Sequence, residues 1–212
     1  MESIIHYFQT SSHEYWSYFG QHIAISAAAL LISLVIALPL GYWGSKNRAI
    51  AEFCQAFAQV LRIVPSLALL FFLIPIMGTG LAPALIALVV LALPPLLINT
   101  ILGFSEVSKE MEGVGLALGM TNWQLLKEVQ LPQALPYLLN GIKLALIEII
   151  SSATLATYIG AGGLGTLIFT GLALYQMDLV FIGGLSVAFL SLISMIGFDF
   201  LIRKATPHDS NY

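Results

Sequence analysis

A single acid lies deep in an apolar run of this chain: Glu148. At about 100° per residue, Glu148, Ser151, Ser152, Thr154 and Tyr158 fall on one broad face of a helix. A carboxylate, three hydroxyls and a phenol can attract a cation and pass a polar solute. No histidine stands among them, so they do not make a His/Asp/Ser constellation for bond chemistry. Arg62 is the other charge inside an apolar stretch, and two readings stay open. Glu148 either pairs with Arg62 as structural glue or lines a polar pathway. Burying such a carboxylate at mid-membrane costs on the order of 2.5–3.5 kcal/mol, so it must face protein or water.

Other constellations fail. His6, His13, His22 and His208 lie near the termini without zinc-ligand spacing, and H-E-x-x-H does not occur. The one cysteine, Cys54, excludes an intrachain disulfide and a thiolate cluster and reads as apolar packing. Gly160-Ala161-Gly162-Gly163-Leu164-Gly165 satisfies G-x-G-x-x-G but follows an apolar span, where a dinucleotide site needs a preceding strand. These glycines read as a tight turn or a close helix approach. No G-x-x-x-x-G-K-[ST] is present, so no nucleotide is expected on this chain.

The elements that position these residues are membrane helices. Apolar residues make up 58% of the chain and charged residues 9%, against roughly 25% charged in soluble domains. Five stretches, 21–43, 51–75, 81–103, 138–159 and 179–202, are long enough to cross about 30 Å of hydrocarbon. The expected fold is all-α and polytopic. Pro65 in the second stretch and Pro94-Pro95 in the third predict local kinks, read either as packing or as a pathway-lining bend. Residues 1–20 open without a basic n-region and carry Tyr7, Phe8, Tyr15, Trp16, Tyr18 and Phe19, which predicts an interfacial lead-in, not a signal peptide.

Orientation follows from the bases. Lys46, Arg48, Lys109, Lys127, Arg203 and Lys204 fall on one side of a five-span arrangement, and Lys143 can snorkel towards it. The positive-inside bias makes that side cytosolic, with the N-terminus outside and the 203–212 tail inside. Asp199 reads as interfacial. A net charge of −3 and few bases argue against nucleic acid.

The one long polar interruption, 104–136, reads as two short helices. Ser105–Leu118 is the first, ended by Gly119 as the left-handed cap residue. Thr121-Asn122-Trp123-Gln124 fits a capping box that starts the second, which presents Trp123, Leu126 and Val129-Gln130. A capped, aromatic-bearing helix between spans suits docking into a groove on a partner.

From Gly119, nine residues lead to Val129-Gln130-Leu131-Pro132. This resembles the E-A-A-x3-G-x9-I-x-L-P loop of permease subunits of binding-protein-dependent ABC importers. Gly113-Val114-Gly115 stand at the Glu-Ala-Ala positions, with Glu112 one residue early. Val64-Pro65-Ser66-Leu67 through Gly78-Thr79-Gly80, Gly119-Met120-Thr121 and Ala153–Gly165 are similar to osmoprotectant-importer permeases (glycine betaine, carnitine, choline). Methionine-importer permeases share the five-span fold and a similar glycine-rich segment.

The resemblance implies a bacterial cytoplasmic-membrane permease whose domain, 21–202, contains a cytosolic coupling loop. It implies partners: a cytosolic ABC ATPase dimer holding ATP and Mg, a second permease chain, identical or related, an extracytoplasmic solute-binding protein, and membrane lipids. It carries a coupling role onto Glu112, Gly113, Gly119, Thr121, Trp123, Val129, Leu131 and Pro132. Glu148, Ser151, Ser152, Thr154, Tyr158 and Pro65 are the pathway candidates. A methionine or other small polar solute is the alternative cargo, and an intramembrane enzyme the alternative class.

Overall fold

The structure, a computed structural model, describes residues 2–206. All of the assigned elements are helical: α1 Glu2–Thr10, α2 Ser12–Lys46, α3 Arg48–Ile63, α4 Ser66–Met77, α5 Leu81–Ser105, α6 Lys109–Ala117, α7 Asn122–Gln124, α8 Leu131–Ala156, α9 Gly165–Ala173 and α10 Met177–Ala205. His208 and most of the 203–212 tail lie outside the described residues.

Helix α5 is the centre. It packs most extensively on α8 and α2, and also against α3 and α4. Lipid tails supply no hydrophobic drive between helices, so close backbone approach through small residues must hold such a bundle. The glycines show where. A Cβ on Gly41 of α2 would lie 2.5 Å from Cβ of Thr100, and one on Gly44 would lie 3.0 Å from Ile101. On the α8 side, a Cβ on Gly141 would reach Asn99 at 2.8 Å, and one on Gly103 would reach Tyr137 at 2.8 Å. Leu88, Leu96, Leu97 and Ile149 fill the core between these crossings.

Asn47 separates the first two long helices. Its extended backbone ends α2, and its Oδ1 accepts from the amides of Ala49 and Ile50, at 3.0 and 3.3 Å, to start α3. The second apolar stretch is not one continuous span. α3 and α4 meet at 95°, because Pro65 cannot donate and bars Val64 from helical backbone. Val64 accordingly sits at φ −74°, ψ 120°. Pro94-Pro95 have a milder effect, leaving α5 unbroken. Among the described residues four helices are therefore long and apolar enough to cross a membrane alone, or five crossings if the bent pair counts as one.

The fourth span differs most from expectation. Helical structure runs without a gap from Asn122 to Ile159, so the second loop helix is an extension of the span. Between α7 and α8 it passes through a π-helical turn, Leu125–Gln130. Pro132 explains the turn: it cannot bond the carbonyl of Glu128 and its ring crowds that oxygen, so a wider register absorbs the misfit. The first loop helix is also displaced. α5 continues to Ser105, and α6 begins only at Lys109, because Ser108 caps it by accepting from the Met111 amide at 3.3 Å.

The bundle has two chemically different ends. At one, Lys46 meets Glu112 and Arg48 pairs with Glu52 at 2.7 Å. Lys143 lies closer to mid-bundle, bonded to Asp199 of α10 at 2.7 Å. At the other end, the Gly80 amide donates to Ile159 O at 2.5 Å, and the Gly163 amide donates to Gln21 Oε1 at 3.2 Å. Gly160, Gly162 and Gly163 all have positive φ there, so the glycine-rich segment is a tight turn. Gly165 adds a close approach, its missing Cβ replaced by the carbonyl of Thr154. Tyr7, Tyr15, Tyr18 and Phe19 of the lead-in pack around Leu164, Leu167 and Ile182, while Trp16 stays exposed. The expected 1–20 segment is thus partly the start of α2.

Gly41→Val places a branched side chain inside Thr100 and is expected to destabilise the protein by roughly 1–3 kcal/mol. Gly197→Val, with nothing within 4 Å of its Cβ position, serves as the control. Thermal unfolding in detergent checks the pair: the Tm should fall for Gly41→Val and stay near wild type for the control.

Candidate functional site

The loop end carries an exposed, capped tip. Thr121 Oγ1 accepts from the Gln124 amide at 3.3 Å, and Gln124 Oε1 accepts from the Thr121 amide at 2.9 Å, completing the expected capping box. Gly119 has φ +81°, the left-handed backbone expected of it. Trp123 projects from this cap with 70% of its surface exposed. Met111, Val114 and Leu118, in and just after α6, are also exposed. Their i, i+3, i+7 spacing makes a stripe along one side of α6, a signal present in the sequence but not used there.

The inner side of the tip is closed. Gly115 is buried, and a Cβ there would lie 2.9 Å from Leu125 and 3.1 Å from the Met120 sulfur. Val129 is half-buried on the same side, and Leu131 and Pro132 are exposed where the helix resumes. Glu112 turns inward. Its Oε1 accepts from Gln130 Nε2 at 2.7 Å and lies 3.5 Å from Lys46 Nζ, joining α6 to the π-turn and to the end of α2. Gly113 is exposed and meets nothing within 4 Å.

A second polar feature opens at the α3–α4 corner. A cleft of about 390 Å³ runs between the corner, α5 and α8, with Arg62, Ser66, Asn99 and Glu148 among its walls and Pro94-Pro95 at its back. An Arg62–Glu148 ion pair, one of the two open readings, is not among the salt bridges of the described residues. Glu148 instead accepts from Ser152 Oγ at 3.1 Å. Asn99, unremarked in the sequence, donates to Pro95 O at 2.8 Å and accepts from Asn140 Nδ2 at 3.0 Å. Asparagines in apolar spans were the signal that would have found them.

The pathway candidates divide. Pro65 makes the corner and Glu148 lines the cleft, with buried Ser152 holding its carboxylate. Ser151 is exposed one residue away. Thr154 Oγ1 donates back to Ile150 O at 3.4 Å, a contact within its own helix. Tyr158 lies towards the glycine end, its ring 4.1 Å from that of Phe169 between centroids.

A polytopic helical bundle with an exposed apolar tip on a polar loop, and a polar cleft at a broken helix, defines the class: a membrane permease subunit. The comparisons specify it. The family model described as "Binding-protein-dependent transport system inner membrane component" matches residues 29–207. The chain is 40% identical over 207 residues to the carnitine transport permease protein OpuCB of Listeria monocytogenes, covering 98% of this chain and 95% of that one. It is 36% identical over 207 residues to the glycine betaine/carnitine/choline transport system permease protein OpuCB of Bacillus subtilis, with the same coverage. In fold it is similar to a chain of the inward-facing MetNI methionine ABC transporter, with a TM-score of 0.79 over 91% of this chain and 96% of that chain, at 23% identity. This chain belongs to the inner-membrane components of binding-protein-dependent transport systems.

Glu112→Ala would leave Gln130, which is 5% exposed, without its acceptor, at a cost of about 1–3 kcal/mol. Amides of 109–117 should then exchange hydrogen faster. Gly113→Ala, on the same helix but without a neighbour, should leave that exchange unchanged or slower.

Proposed function

We propose that this chain is the membrane-spanning subunit of an ATP-driven importer for a quaternary-ammonium compatible solute such as glycine betaine, carnitine or choline. The observation that carries the reading is the unbroken helical run Asn122–Ile159, which ties an exposed docking tip to the segment bearing Glu148. The named relatives, permeases for carnitine and for glycine betaine, carnitine and choline, supply the solute class.

A separate ATPase dimer holds ATP and its Mg²⁺ and engages Trp123 with the Met111–Val114–Leu118 stripe on the cytosolic side. A second permease chain completes the pathway, and a binding protein delivers solute from outside. ATP does its work through differential affinity: the closed ATPase dimer binds one permease state better than the other, and only that difference moves the equilibrium. The N-terminus lies outside and the bases of the loop end lie in the cytosol.

Trp123→Ala is expected to weaken ATPase binding by roughly 2 kcal/mol, about thirtyfold, measured by titrating purified permease with the ATPase. Gly119→Val should also uncouple uptake, since a β-branched residue at φ +81° costs about 1–2 kcal/mol of backbone strain at the base of the tip. Wild-type permease that captures no ATPase would end the proposal.

Reporter fusions after Gly80, Trp123 and Gln176 should read outside, inside and outside. An external signal at Trp123 would reverse the orientation and remove the ATPase from this loop.

A further inference from the structure

We infer that the cleft at the α3–α4 corner is a low-affinity binding site for a zwitterion, with Glu148 facing the solute's cation and Arg62 its carboxylate. The inference rests on the importer reading above and assigns the two ends of a zwitterionic solute to two residues of this chain.

Three observations converge. Arg62 and Glu148 are opposite charges on the walls of one cleft, on helices α3 and α8 that are far apart in sequence. Among the described residues neither is in a salt bridge, although each shares a cleft with its natural partner. Both are exposed. A charge within the apolar part of a membrane protein must face water or a counter-charge, so this cleft is an aqueous surface on which two opposite charges remain available.

The surroundings fit a small dipolar ligand. Ser152 fixes the Glu148 carboxylate through its hydroxyl while leaving the other oxygen open. The Asn99 amide is held in place by its bonds to Pro95 O and Asn140 and forms a fixed, neutral polar wall of the cleft. Leu91, Leu144 and Ile147 supply apolar wall area suited to methyl groups on the cation. The volume of about 390 Å³ lies within the roughly 300–1,000 Å³ of small-molecule sites. With both charges exposed, a ligand here would keep part of its surface in water, which favours release over retention.

A cation without a carboxylate would use only half the site. Arg62 therefore separates zwitterions from simple cations, whereas Glu148 serves both.

The test uses the complete transporter (permease, ATPase and binding protein) in vesicles, with binding protein at saturation. Maximal uptake is measured for glycine betaine, a zwitterion, and for choline, a cation. Arg62→Gln is expected to lower glycine betaine uptake about tenfold, the scale of one charge-assisted hydrogen bond, while choline uptake changes less than twofold. Arg62→Lys should recover part of the betaine rate, and Glu148→Gln should lower both rates. Assembly yield of each variant is measured alongside.

Equal loss for both solutes in Arg62→Gln, or loss that follows yield, would overturn the site and make Arg62 a structural part of the corner. No change in either rate would overturn it too. Both of those results leave the importer reading standing, because wild-type uptake is seen. Wild-type vesicles that take up neither solute would reject the importer reading and this site together.

Discussion

The close approach of α2 and α8 to α5 sets the geometry on which the rest depends. Gly41 against Thr100 and Gly141 against Asn99 bring three backbones within reach of one another, with no room for even a methyl group. In water such a core would be held by apolar burial; in lipid that drive is missing, and contact area at close range has to replace it. The consequence is a fixed central triplet with more loosely attached outer helices. α10 touches α8 and α9 and exposes much of its length, including Phe181, Leu185, Phe189 and Phe200. The α3–α4 pair, bent at Pro65, leans on the triplet, and the space left in its corner is the cleft.

The same triplet gives the loop something rigid to act on. α8 continues through the π-turn to the exposed tip, so no non-helical break separates Trp123 from the core. Glu112 adds a second tie, through Gln130 to the helix that bears the tip and through Lys46 to α2. Its place beside the Glu-Ala-Ala position of the loop pattern suggested contact with a partner. In the structure one oxygen of its carboxylate, Oε1, is held within the chain by Gln130 and Lys46, and the exposed surface of the same helix is apolar.

What the sequence made legible was whatever local rules decide. The left-handed Gly119 and the Thr121–Gln124 box depend on residues a few positions apart, and both are as expected. So is the gathering of Lys46, Arg48 and the loop at one end. Tertiary competition decided the rest. Pro65 was recognised as a disruptor, but a kink and a right-angled corner begin from the same missing N–H, and only packing of α3 and α4 against α5 chooses between them. The first loop helix was placed too early because helix formers at Ser105–Val107 gave no sign that Ser108 would cap a new helix. Lys143 was read as snorkelling towards the side of the other bases; the structure adds an ion pair with Asp199 of α10, 56 residues away. No short-range pattern encodes that pairing.

The unbroken run through α8 also makes the register between loop and cleft a matter of chain length. Each residue in a helix advances the chain by about 1.5 Å and turns it by about 100°. One residue inserted between Leu131 and Ile147 would therefore rotate Trp123 by more than a quarter-turn relative to Glu148, with every side chain otherwise unchanged. The length of this segment, more than its composition, therefore sets the phase between the exposed tip and the glycine crossings that seat the core.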